Sequence, residues 1–217
     1  MSNLLRLMAF SSALAEGDRD AAVDRLRAAA AKLPGSTDLV LVRAHAAGVN
    51  RADVIWRQRF AGADDAAKAR SSDVWKQEIE PMFAAGGPFV LDHHLIYGAG
   101  QSGGAPLGKG LIRIALFHAE HNPTPEKIDQ MERETASMPR YIPAIKRWQC
   151  TRPDVVEGPT PWTYIWEQEY DDLTGLNGPY LMHPSHWGYV DRWFDPEYPE
   201  YMIDPELVHT YGDFVRP

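Results

Sequence analysis

The chain has 217 residues, of which 44% are hydrophobic and 24% charged, and a formal net charge of −8. These proportions are those of a folded globular protein and exclude a disordered chain, a collagen-like repeat and a disulfide scaffold. The negative charge argues against nucleic-acid binding, which needs a basic face, and the single cysteine, Cys150, excludes an intrachain disulfide or a cysteine-built zinc site and fits a reducing, cytoplasmic setting. The apolar run at Leu4–Phe10 contains Arg6 and is far short of the roughly 20 residues of a membrane span. It also lacks the basic start and small-residue cleavage site of a signal peptide. Charge is uneven: residues 1–110 hold 13 basic and 12 acidic residues, residues 111–217 hold 9 and 18, and 13 of the 17 prolines lie in the second part.

In chain order the pattern reads twice. Leu4–Phe10 is an apolar strand with an arginine in its middle. A helix over Asp18–Leu33 follows, with Val23, Leu26, Ala30 and Leu33 on one face, and it stops at Pro34. Asp38–Ala44 and Val54–Phe60 are strands, Ala63–Phe83 is helical, and a last strand ends at Tyr97-Gly98. Residues 98–110 carry six glycines in 13 positions and read as a flexible linker. The second copy begins at Leu111–Phe117, again with a central arginine, Arg113. Thr124 and Pro125 then open a helix in which Ile128, Met131 and Met138 recur at helical spacing. Strands over Ala144–Cys150 and over Tyr164–Tyr170, a helical stretch over Leu173–Phe194 and a strand ending at Tyr211-Gly212 complete it. The unit is β-α-β-β-α-β, the ferredoxin-like arrangement. The expected fold class is therefore α+β, with two ferredoxin-like units, residues 1–97 and 111–217, fused into one dimeric-type α+β barrel.

The clearest echo is Val54–Phe60 against Tyr164–Tyr170, where Arg57 and Arg59 stand in one copy and Glu167 and Glu169 in the other. Alternate residues of a strand share a face. If the two sheets pack face to face, the arginines meet the glutamates and help set how the halves dock.

The least ordinary segment is Tyr180–Phe194, YLMHPSHWGYVDRWF. Pro184 interrupts the helix, so residues on either side can turn to one pocket. His183 and His186 bracket it, and imidazole is the side chain best suited to proton transfer near neutral pH. The phenol of Tyr180 can hold a developing oxyanion. His183 also suits a purely structural hydrogen bond. A metal site from His183, His186 and Asp191 lacks a further ligand, so no metal is expected. Strand parity puts Tyr164, Trp166, Gln168 and Tyr170 on one face, and Arg113 on the same face of its strand as Phe117, with His209 on the last strand. A buried arginine is costly unless paired. A bound carboxylate, phosphate or phenolate, or alternatively Glu120 or Asp172, would be its partner.

The run of strand, proline-ended helix with Tyr141-Ile142-Pro143, Thr163-Tyr164-Ile165 and Tyr180-Leu181-Met182-His183-Pro184-Ser185-His186 resembles the stress-responsive dimeric A/B barrel (Dabb) family. The resemblance covers Leu111–Phe214, while the first half follows the layout only, with Ser71–Trp75 in place of the His-Pro-x-His. Members usually dimerise through two four-stranded sheets, so the duplication implies both halves in one chain, as a monomer or as a homodimer of fused barrels. A plant polyketide cyclase of this family works by aldol chemistry without a cofactor, through a tyrosine and a histidine at the positions of Tyr180 and His186. The resemblance therefore implies a cofactor-independent lyase or cyclase acting on an aromatic or polyketide-like small-molecule acid. The catalytic set is His186, Tyr180 and His183, with Arg113, Tyr164, Trp166, Gln168 and His209 binding substrate. Cofactor-free oxygenation of a phenol, and a non-catalytic stress-associated or ligand-binding barrel, are the alternatives.

Overall fold

The structure is a computed structural model that describes residues 1–216. The first half runs β1 (Ser2–Phe10), α1 (Arg19–Ala31), β2 (Ser36–Arg43), β3 (Val54–Phe60), α2 (Ala63–Ser71) and β4 (Phe89–Tyr97). After β5 (Gln101–Gly104), the second runs β6 (Lys109–Phe117), α3 (Pro125–Ser137), β7 (Arg147–Thr151), β8 (Val155–Glu157) and β9 (Tyr164–Tyr170). It ends with α4 (Leu173–Gly175), α5 (Pro184–Tyr189) and β10 (Val208–Val215). The ferredoxin-like unit is thus present twice, in two antiparallel five-stranded sheets ordered β2-β3-β1-β4-β8 and β10-β6-β9-β7-β5.

The fifth strand of each sheet comes from outside the expected repeat. In the glycine-rich connection, Gln101–Gly104 pairs with β7, and β8, which belongs to the second half in sequence, pairs with β4 of the first. Gly104 lies in the left-handed region (φ +78), and a Cβ there would collide with the Lys146 carbonyl. Glycine is required at that position by close strand pairing as well as by backbone conformation.

Each sheet is covered on both faces, which is why β3 and β9 are buried along their whole length. Outer-facing residues form one core under the helices of each half: Leu4, Met8, Trp56 and Phe60 with Val23, Leu26, Ala30 and Leu33 in the first. In the second they are Leu111, Ala115, Phe117, Tyr164, Trp166 and Tyr170 with Met131 and Met138. Inner-facing residues make a third core between the sheets, including Leu5, Leu7, Ile55, Ile112, Ile114, Leu116 and Ile165. Thr124 caps α3 as its sequence predicts, its Oγ1 accepting from the Lys127 N–H at 3.3 Å.

One end of the inter-sheet space is filled by charge. Arg57, fully buried, donates to Asp38 at 2.5 Å and to Glu169 at 3.3 Å and lies 3.4 Å from Glu167. Arg59 reaches Glu167 at 3.5 Å, and the Tyr97 hydroxyl donates to Glu167 at 2.8 Å. Glu169 also accepts from Arg147 at 3.2 Å and from Arg216 at 2.5 Å. The arginine pair of one half does face the glutamate pair of the other. Burial alone would raise the Asp38 carboxyl pKa, but Arg57 and Arg216 outweigh it and hold the group well below the usual carboxylate range.

The helical stretch expected over Ala63–Phe83 is broken, and that over Leu173–Phe194 is interrupted before Pro184, as the proline predicts. In the first, Ser72 is extended (ψ 158) after α2, and a π turn over Trp75–Ile79 follows. In the second, a π turn over Leu176–Tyr180 contains Pro179, and His183 is extended (ψ 135) before Pro184 starts α5. Proline at the first helical position leaves an already unpaired N–H out of account, and the residue before it favours extended backbone.

Among the described residues no helix is long and apolar enough to cross a membrane.

Candidate active site

The pairing of β6 with its neighbours brings the site together. Gln168 lies directly across from Arg113 on β9, and His209 is diagonal to it on β10, opposite Ala115. Cross-strand and diagonal neighbours on one face are within side-chain reach. The Arg113 guanidinium donates through Nε to His209 Nε2 and through Nη1 to Gln168 Oε1 and, at 3.3 Å, to the Tyr180 hydroxyl. Its carbon lies 5.0 Å from the centre of the Tyr180 ring. The neighbours expected as alternatives do not pair with it: Asp172 caps α4, accepting from Thr174 at 2.8 Å and Gly175 at 3.2 Å. Among the described residues Arg113 makes no ion pair with a carboxylate, although it is only 4% exposed.

The π turn delivers Tyr180 into this core, 1% exposed. Its ring meets His186 edge to face at 4.7 Å and Tyr170 edge to face at 5.9 Å. His186 sits on α5, none of whose residues is fully buried. Its Nδ1 lies 3.5 Å from Asp191 Oδ1 but makes no hydrogen bond. Burial first, and the Arg113 charge second, lower the His186 pKa to about 4; the same two influences and His186 itself lower that of His209 to about 2. Both imidazoles are therefore neutral at pH 7. His209 accepts from Arg113 through Nε2, so its proton is on Nδ1.

Two buried polar atoms beside the arginine have no partner, Gln168 Nε2 and the Tyr170 hydroxyl. Buried polar groups are normally satisfied, and each orphan costs about 1–3 kcal/mol. Tyr170 shares the face of Tyr164, Trp166 and Gln168, yet its sequence alone does not separate it from an ordinary core tyrosine.

The other predicted residues fall outside this cluster. His183 Nδ1 accepts from the Ser185 N–H at 3.1 Å, so its ring caps α5. The Tyr164 hydroxyl donates to the Ile128 carbonyl at 2.9 Å, and burial raises its pKa well above the usual phenol value. Trp166 packs against Trp148 at 5.7 Å, with its indole N–H unpartnered. The structure thus joins Arg113, Gln168, Tyr170, Tyr180, His186 and His209. Among the described residues no group of three or more His, Cys, Asp or Glu is gathered as a metal donor set.

Two ferredoxin-like sheets packed into one barrel, with a polar cluster under the helices of one half, define a fused α+β barrel of the dimeric type. Residues 111–208, in the C-terminal half, match the model of the stress responsive A/B barrel domain (Dabb). No curated protein matches the sequence. Several solved structures share the two-sheet fold at low identity. One is an anthrone oxidase-like protein, 10% identical with a TM-score of 0.68, the match covering 100% of this chain and 92% of that one. Another, from Lactobacillus acidophilus NCFM and provisionally named a monooxygenase, is 9% identical with a TM-score of 0.58, covering 98% and 92%. A mutant chlorite dismutase from Candidatus Nitrospira defluvii is 9% identical with a TM-score of 0.55, covering 97% and 90%. At such identities the likeness extends to the fold.

Proposed function

We propose that the C-terminal half is a cofactor-independent lyase or cyclase site for an aromatic or polyketide-like small-molecule acid. The observation that carries this reading is the Arg113 guanidinium, buried without a carboxylate and bonded to a phenol, an amide and a neutral imidazole. A ligand carboxylate, phenolate or enolate oxygen would supply the missing charge through strong, charge-assisted hydrogen bonds. The unpartnered Gln168 Nε2 and Tyr170 hydroxyl would bind its further oxygens.

In this reading neutral His186 takes a proton from the carbon next to a substrate carbonyl. The C–H electron pair moves into the enolate, whose oxygen is held by the Tyr180 hydroxyl and Arg113. In cyclisation the enolate carbon forms a new C–C bond to a second carbonyl, and His186 returns its proton to the alkoxide produced. The same steps in reverse break a C–C bond. Electrons and protons balance without an external oxidant. A bound anion also offsets the Arg113 charge that helps depress His186, so the base strengthens when substrate is present. A ligand would enter past α5, none of whose residues is fully buried.

The test is incubation with a panel of phenolic and β-keto acids, following mass by chromatography and oxygen by electrode. Product formed without oxygen uptake, and lost in His186→Ala and Tyr180→Phe, supports the reading. Oxygen consumed in step with product would replace it by oxygenation of a phenol, and turnover untouched by both substitutions would refute the residue roles.

A further inference from the structure

The first half holds a second arginine of the same kind. Arg6 points from β1 to the helix side, and its Nε donates to His94 Nδ1 at 2.9 Å. Its guanidinium carbon lies 4.6 Å from the ring centre of Trp75, 4.9 Å from Phe83 and 5.5 Å from Trp56. Among the described residues it forms no ion pair with a carboxylate, and its Nη groups, on a half-buried side chain, make no hydrogen bond to protein. Burial lowers its pKa to about 10, and His94, 2% exposed, is lowered to about 4 by burial and then by Arg6, so it is neutral.

The two arginines match in sequence but not in register. Arg6 stands across from Trp56, whereas Trp166, the counterpart of Trp56, stands across from Ala115, two residues beyond Arg113. The histidines do correspond: His94 is opposite Arg6, and His209 opposite Ala115. The same Arg–neutral His pair is therefore assembled twice from different strand positions, which simple inheritance of one packing arrangement does not produce.

From this geometry we infer that the first half contains a second anion site, in which Arg6 binds the carboxylate of a small aromatic acid beside Trp75 and Phe83. Ring faces stabilise a guanidinium but offer its Nη hydrogens no acceptor, and a carboxylate does both. Glu157 on β8 and Glu80 attract Arg6 from beyond ion-pair distance, and Arg70 opposes them. Exposed Glu157 is the natural competitor for the ligand. The site is independent of turnover in the second half.

Calorimetric titration of the full chain with 4-nitrobenzoate tests it, with the uncharged 4-nitrobenzamide as control. The expected result is a binding event that survives Arg113→Gln, is weakened about tenfold or more by Arg6→Gln, and is strengthened up to about fivefold by Glu157→Gln. Binding that survives Arg6→Gln but is abolished by Arg113→Gln overturns the inference and leaves the proposed active site standing. Binding weakened by Arg6→Gln and untouched by Arg113→Gln supports the inference and leaves the proposed active site to its own turnover test. No binding, or equal binding of the amide, overturns it as well. If Arg6→Gln loses its circular dichroism, the unmodified chain decides: nitrobenzoate should quench tryptophan emission, and Trp75→Phe should remove most of that quenching. Quenching unchanged in Trp75→Phe would again refute the site.

Discussion

Replacing Arg57 by methionine should unfold the interface between the halves more than any surface change. The side chain is wholly buried and bonds Asp38 and Glu169 while lying beside Glu167, so its removal leaves carboxylates facing a dry interior with fewer cations. Breaking a buried ion pair from one side costs about 3–5 kcal/mol. At about 2–4 °C per kcal/mol for a chain of this size, Tm should fall by roughly 6–20 °C. Glu169→Gln should cost at least as much, because it touches Arg57, Arg147 and Arg216 at once. Urea unfolding of both single variants and the double variant, followed by circular dichroism, gives the coupling directly. A coupling of about 0.5–3 kcal/mol is expected for side chains in one network, and 1 M salt should change it little because the pair is shielded from ions. A loss under about 1 kcal/mol for Arg57→Met, or coupling indistinguishable from zero, would refute the claim that these charges hold the sheets together.

His186→Ala should lower turnover of an accepted substrate by about 10²–10⁴ and Tyr180→Phe by about 10²–10³, measured as kcat with folding checked by circular dichroism. His183→Ala should instead cost about 0.5–2 kcal/mol of stability through the lost cap and leave kcat within a few-fold. Stability should fall as pH drops from about 6.5 to 4, because the unfolded chain then binds protons that neutral His94, His186 and His209 refuse in the fold. Asp92 and Asp191, raised by burial, oppose part of this near the lower end; thermal melts of His94→Gln should show a flatter slope. Gly104→Ala should lose more than about 1 kcal/mol in chemical denaturation, since its positive φ and the Lys146 carbonyl both exclude a Cβ.

Much of this architecture was legible because strand parity is strict. A period of two grouped Arg57 with Arg59, Glu167 with Glu169, and Gln168 with Trp166, while which of these faces turns to the other sheet and which to the helices took the family resemblance and the structure to decide. The added strands were not legible: Gln101–Gly104 and Val155–Glu157 bury little side chain and are held by backbone pairing at a sheet edge, which leaves no apolar alternation. Nor was the break at Ser72, where side-chain spacing still looks helical, whereas the break at His183 was announced by Pro184. The role of His183 depends on which nitrogen meets the Ser185 N–H. The unpartnered atoms of Gln168 and Tyr170 become visible only when all neighbours are placed. Aligning Arg6 with Arg113 by residue type concealed the two-residue difference in register.

Strand β8 also sets an order for synthesis. The outer edge of β4 has no partner until residues 155–157 have left the ribosome, and Arg57 and Arg59 meet their glutamates only after residue 169. For most of translation the first half therefore carries an open strand edge and two arginines without their cross-sheet glutamates. The edge invites pairing with other chains, while the exposed positive charge favours hydration over aggregation until the second half arrives.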